Sequence, residues 1–155
     1  MNHRSKTSKT TSGTTMHIEQ FMQGYKGAWE SRDETRFCAL FSPDGTYHNT
    51  PFAEQRGHDQ LAAYWQRVKL QDDITVSYDI LASAPTSGIA HWHVTYQIQS
   101  EELFRIWAAS TGTSLVAHKP GDPLPRMVLD GVLHAQFAGG LCTECRLWWH
   151  SMPLP

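Results

Sequence analysis

Clusters of basic residues, paired cysteines, glycine-rich phosphate loops and long apolar runs are all missing from this chain, and each absence removes a class of function. The net charge is −2 over 155 residues, with both signs scattered. Neither a nucleic acid nor an anionic membrane surface is therefore an expected partner. The apolar runs fall short of the roughly 20 residues that cross a bilayer, so no membrane span is expected. No glycine-rich phosphate loop occurs, and no cofactor is expected. Cys38, Cys142 and Cys145 are an odd number in a chain without a secretory leader, which reads as reduced thiols in the cytoplasm. The partner left by this elimination is a hydrophobic small molecule.

The length suits one domain that buries about two-thirds of its unfolded surface. Residues 1–15 are rich in Ser, Thr, Lys and Arg and have no apolar residue after Met1. They read as a disordered tail, with a single domain over residues 16–152. From Met16 the spacing of Ile18, Phe21, Met22, Tyr25, Ala28 and Trp29 predicts a helix with one buried stripe. A short second helix carries Phe37, Leu40 and Phe41 and is expected to close at the turn Ser42-Pro43-Asp44-Gly45. A third helix is expected over residues 57–68, with Leu61, Tyr64, Trp65 and Val68 on one side.

Strand patterns occupy residues 46–50, 74–84 and 89–100, and the last of these is expected to continue as extended structure through Phe104, Ile106 and Trp107. Residues 110–125 read as a long loop able to lie across a pocket. Residues 126–137 and 141–149 read as a closing hairpin. Three N-terminal helices followed by a strongly bent, largely antiparallel sheet is an α+β layer arrangement, with the helices covering the concave face. The stretch Tyr47-His48-Asn49-Thr50-Pro51 ends the first strand where helices meet sheet, because Pro51 cannot donate to a ladder. Such a junction is a natural pocket mouth.

This order of elements resembles the nuclear-transport-factor-2-like superfamily, a cone-shaped fold that includes ketosteroid isomerase, limonene epoxide hydrolase, scytalone dehydratase and the SnoaL-like polyketide cyclases. The resemblance to the isomerases implies a pocket role for Tyr25. The isomerase carboxyl positions fall on Thr50 and Leu133. The elbow is similar to that of the epoxide hydrolases through Tyr47, Asn49, Pro51 and Gly57, which implies that Tyr47 and Asn49 help to hold a water. Their charged triad falls on His91-Trp92-His93 and Leu147 instead.

Alternation puts His91, His93 and Thr95 on one face of a strand and Trp92, Val94 and Tyr96 on the other. The resemblance turns the histidines inward, where they would serve as general base and hydrogen-bond donor; with the faces reversed they are outer polar residues. Metal ligation is not expected, because no carboxylate shares their face. Of the neighbours His48 and Asn49, one faces the pocket, and elbow spacing favours Asn49. Counting from Phe137 points Asp130 away from the core unless a bulge at Gly131 turns it in. The expected pocket wall is Phe21, Tyr25, Trp29, Tyr47, Trp65, Leu133 and Trp149. An outer face carrying Trp92, Tyr96 and Trp148 would pair two copies as a homodimer. The expected activity is isomerisation, dehydration, cyclisation or epoxide opening by His and Tyr acid–base chemistry. The alternative is a binding or dimerisation module without catalysis.

Overall fold

A computed structural model describes residues 16–154, and the predicted tail at residues 1–15 lies outside them. Helix α1, Ile18–Ser31, buries Ile18, Phe21, Met22, Tyr25, Ala28 and Trp29, the stripe that the spacing predicts. A reciprocal capping box between His17 and Gln20 starts it, and Arg32 in the left-handed region ends it. Helix α2, Glu34–Cys38, is capped by the Asp33 side chain, which accepts from the Arg36 amide at 3.0 Å.

Strand β1, Phe41–Thr50, begins earlier than expected. Residues 42–45 form a bulged interruption within it, where its pairing with the last strand slips between Phe41 and Thr46. Strand β2, Ala53–Arg56, folds back on β1, so the elbow at Pro51 is a hairpin. Helix α3, Gly57–Trp65, follows, then a 3₁₀ turn at Val68–Leu70. The long strands are β3, Gln71–Ala84, and β4, Ser87–Ile98, with β5, Arg126–Ala138, and β6, Leu141–Pro153. The sheet order is β2-β1-β6-β5-β4-β3. All neighbours are antiparallel except β1 and β6, the parallel pair that joins the two ends of the chain. The curved sheet stays open, with α1 packed on β3 and β4 and α3 on β1.

Residues 101–111 depart most from expectation. Extended structure through Phe104, Ile106 and Trp107 is replaced by helix α4, Glu101–Thr111. The Ser100 hydroxyl accepts from the Leu103 amide, Glu101 and Glu102 fill the first turn, and Gly112 closes the helix with φ 67°. Leu103, Phe104, Trp107 and Ala108 then share one buried face. Among the described residues there are therefore four α-helices rather than three.

A second correction concerns the faces of β4. Ala90, Trp92, Val94, Tyr96 and Ile98 are buried against the helices, and His91, His93, Thr95 and Gln97 lie on the outer side. Trp92 and Tyr96 are only 1% and 3% exposed, so they cannot furnish an outer patch. Burying each such side chain contributes about 1.5–3 kcal/mol, and the polar residues between them have no comparable gain. Gly131 on β5 makes this packing possible, because a Cβ there would sit 2.7 Å from Trp149 Cβ and 2.8 Å from Trp92 Cζ2.

Candidate functional site

Aromatic side chains fill most of the space between helices and sheet. Phe37 stacks on Trp65 with ring centres 3.9 Å apart, and Phe21 packs on Tyr25, Phe41 and Phe137. At the end covered by α4 a cavity of about 50 Å³ remains. A water needs about 10–15 Å³ by a comparable measure, so the space takes a few waters or part of a small molecule. Drug-sized ligands occupy about 300–1,000 Å³. A ligand of that size enters only if the wall moves.

Four indoles, Trp29, Trp92, Trp107 and Trp149, line the cavity with the phenols of Tyr47, Tyr64 and Tyr96. Three of the indoles are tied in place. Trp29 donates to Gln71 Oε1 at 2.7 Å, Trp107 to Ser151 Oγ at 2.9 Å, and Trp149 to the Asn49 carbonyl at 2.5 Å. Trp92 Nε1 is buried with no hydrogen-bond partner, a donor left over at a cavity wall. From α4 come Leu103, Ile106, Trp107 and Ser110. Side chains alone hold this helix, through the Trp107 bond and a contact of 2.7 Å between His118 Nε2 and Glu101.

Two hydroxyls meet at the deep side. Tyr47 is on the cavity wall, and its oxygen lies 2.5 Å from that of Tyr25, which is wholly buried behind it. Loss of hydration on burial raises both phenols well above their ordinary pKa, so both stay protonated at neutral pH. Tyr64 and Tyr96 are raised for the same reason. Asn49 is also on the wall, with its side-chain oxygen accepting from Gln55 Nε2 at 3.3 Å. Alternation puts His48 on the opposite face of β1, away from the cavity. Among the described residues no Asp, Glu or His lines the cavity.

Of the expected pocket residues, Tyr47, Asn49, Trp29 and Trp149 do line it. Phe21, Trp65 and Leu133 belong to the filled core behind, and Tyr25 lies behind the wall against Tyr47 and Trp29. His91, His93 and Asp130 are corrected to the outer face. There His91 Nε2 lies 2.8 Å from one oxygen of the Asp130 carboxylate and His93 Nδ1 lies 3.0 Å from the other, with side chains 37%, 45% and 56% exposed. The hydrogen bond to Asp130 raises the His91 pKa. For Asp130 partial burial pushes up, but the hydrogen bonds from His91 and His93 outweigh it and hold the carboxyl low. No bulge occurs at Gly131, and β4 and β5 stay in register past it. Among the described residues no cluster of three or more His, Cys, Asp or Glu has the arrangement of a metal site.

Arg67, Gln71, Tyr96 and the α4 residues were not among the expected lining. The spacing of Leu103, Phe104, Trp107 and Ala108 after a Ser-Glu-Glu cap holds the signal for α4. Nothing in the local sequence marks Arg67.

An open, curved six-stranded sheet wrapped around its N-terminal helices, with a cavity at one end, defines the nuclear-transport-factor-2-like class. Within that class the chain belongs to the SnoaL-like domain family, whose model matches residues 18–145. It is similar in structure to the epoxide hydrolase/cyclase-like enzyme SalBIII of pyran ring formation in the polyether salinomycin, at 11% identity and a TM-score of 0.63, over 88% of this chain and 95% of that one. The Δ5-3-ketosteroid isomerase from Mycobacterium sp. gives 16% identity and 0.62, over 86% and 92%. A computationally designed 17-OHP binder gives 14% identity and 0.62, over 85% and 94%. No curated protein sequence matches the chain. Among the described residues no helix is long and apolar enough to cross a membrane.

Proposed function

We propose that the cavity binds a small hydrophobic carbonyl compound and that Tyr47, backed by Tyr25, donates a hydrogen bond to its oxygen. The observation that carries this reading is the pair of protonated phenols, 2.5 Å apart, at the wall of an aromatic cavity. When Tyr25 donates to Tyr47, the Tyr47 proton turns either to the neighbouring Tyr64 phenol or to a ligand. A donor fixed in a water-poor site stabilises negative charge developing on a carbonyl oxygen. That is the demand made by isomerisation, dehydration and cyclisation through enol intermediates. Asn49 and the indole N–H of Trp92 are further polar groups for orienting the ligand. With His91, His93 and Asp130 on the outer face, the acid–base role first expected of them has no route to this cavity. Proton removal falls to water or to the substrate's own acidity.

A second reading is binding without turnover, and the absence of Asp, Glu or His from the described lining favours it. One experiment separates the two. 2-Cyclohexen-1-one is titrated against tryptophan fluorescence, and exchange of its α- and γ-protons in D₂O is followed by NMR. Saturable binding with accelerated exchange supports catalysis, and saturable binding with exchange at the solvent rate supports a binding module. Tyr47→Phe weakens binding about threefold to tenfold, the worth of one net hydrogen bond. No saturable signal rejects the reading.

We also place the protein in a reducing compartment such as the cytoplasm, because Cys38, Cys142 and Cys145 are free thiols. A second copy is proposed on the outer sheet face, where Trp148 and Met152 are 48% and 50% exposed. Trp148→Glu is expected to shift sedimentation from dimer to monomer, and an unchanged dimer rejects that face.

A further inference from the structure

We propose that Arg67 makes the cavity selective for a ligand with an anionic end: a single-ring, apolar carboxylate rather than a neutral polycycle. The inference rests on the cavity reading above and narrows its substrate class. Arg67 follows α3, lines the cavity and is half-buried. Its guanidinium carbon lies 4.3 Å from the centre of the Tyr64 ring, itself part of the wall. Stacking of this kind fixes the plane of the guanidinium while leaving its N–H edges free for a forked pair of hydrogen bonds.

Among the described residues Arg32, Arg36, Arg67 and Arg105 make no ion pair, and of these four Arg67 alone lines the cavity. Arg56, Arg126 and Arg146 lie against Glu54, Asp73 and Glu144 at 2.9, 3.0 and 2.7 Å. Among the described residues Arg67 has no ion pair and no side-chain hydrogen bond. Arg67 also borders an open groove on the outside of the protein beside Glu102, with which it makes no ion pair. A guanidinium drawn partly out of water without a counter-charge is poorly compensated, and a ligand carboxylate would supply the missing partner as a bidentate acceptor. Trp92, a residue of the same wall, also has a buried indole N–H without a partner.

The rest of the lining fixes the other end of the ligand. Indoles and phenols offer ring faces to an apolar body, and no acid stands in the described cavity wall. The volume of about 50 Å³ holds only part of a ring, so a single-ring ligand asks for less movement of the wall than a polycycle does. The carboxylate would sit against Arg67, with the ring between the tryptophans and any carbonyl turned to Tyr47.

The test uses a matched pair, 3-phenylpropanoate and 3-phenylpropanamide, titrated by tryptophan fluorescence and calorimetry against wild type, Arg67→Gln and Arg67→Lys. Wild type is expected to bind the acid at least tenfold more tightly than the amide. Arg67→Gln abolishes the preference, the acid losing at least tenfold more affinity than the amide, while Arg67→Lys retains part of it. Equal affinities in wild type, or a preference that survives Arg67→Gln, overturn the proposal. If 2-cyclohexen-1-one binds and neither phenylpropanoid does, the anionic specificity fails while the cavity reading stands. If none of the three binds, both fail.

Discussion

Removing the Tyr47 hydroxyl strands that of Tyr25, whereas the Tyr47 hydroxyl keeps the Tyr64 phenol beside it, so the two positions differ in how well the survivor recovers. Tyr25 is 0% exposed and off the cavity, so Tyr47→Phe leaves its hydroxyl with no route to water. An unsatisfied buried hydroxyl costs about 1–3 kcal/mol, and this one should approach the upper value. Tyr25→Phe leaves the Tyr47 hydroxyl facing a cavity that admits water, so about 1 kcal/mol is expected. Replacing both removes the stranded group and restores an apolar match, so the double variant should cost less than the two singles added together. The coupling is expected at about 1–2 kcal/mol, well beyond the ~0.5 kcal/mol scatter of independent sites. Urea unfolding of the four proteins at pH 7 measures it, with equal slopes confirming a common denatured state. Additive single effects, or Tyr25→Phe costing more than Tyr47→Phe, would refute the reasoning.

Two other substitutions probe the faces of the sheet. Gly131→Ala drives a methyl into the Trp148 carbonyl, Trp149 and Trp92; about 3 kcal/mol should be lost, and a melting temperature within about 2 °C of wild type would mean that the tryptophans do not close over that strand. Asp130→Asn breaks the outer His91–Asp130–His93 cluster. The lowered Asp130 contributes stability above its unfolded pKa, which is lost as pH falls through the folded value; the raised His91 contributes below its unfolded pKa, and this is lost as pH rises through the folded value. The gap between wild type and Asp130→Asn should therefore be widest near pH 5–6 and shrink by pH 8, amounting to about 1 kcal/mol or less at so exposed a site. A gap independent of pH would show that the cluster is not coupled.

The long amphipathic patterns carried the fold. The stripe of α1 and the hairpin of β5 and β6 are legible because each element pairs one buried face with a regular period. α4 was legible too, but its apolar residues followed directly on a strand and read as the strand's continuation; the Ser100 cap and two glutamates mark the break. On β4 the plain alternation of Trp92, Val94 and Tyr96 with His91, His93 and Thr95 already assigns the faces by burial. Alignment to relatives with charged pocket residues overrode that simpler signal and turned the histidines in. Tyr47 and Asn49 were found because the elbow fixes their phase. Arg67 was not, since its place at the cavity depends on how α3 and α4 meet, a long-range arrangement that no local pattern encodes.

Donors that do not titrate near neutrality face the cavity, while the imidazoles lie outside it. The affinity for 2-cyclohexen-1-one, measured by tryptophan fluorescence from pH 5.5 to 8.5, tests this directly. A flat profile is predicted, unchanged in His91→Ala and His93→Ala. A transition between pH 6 and 7 that either substitution abolishes would contradict it.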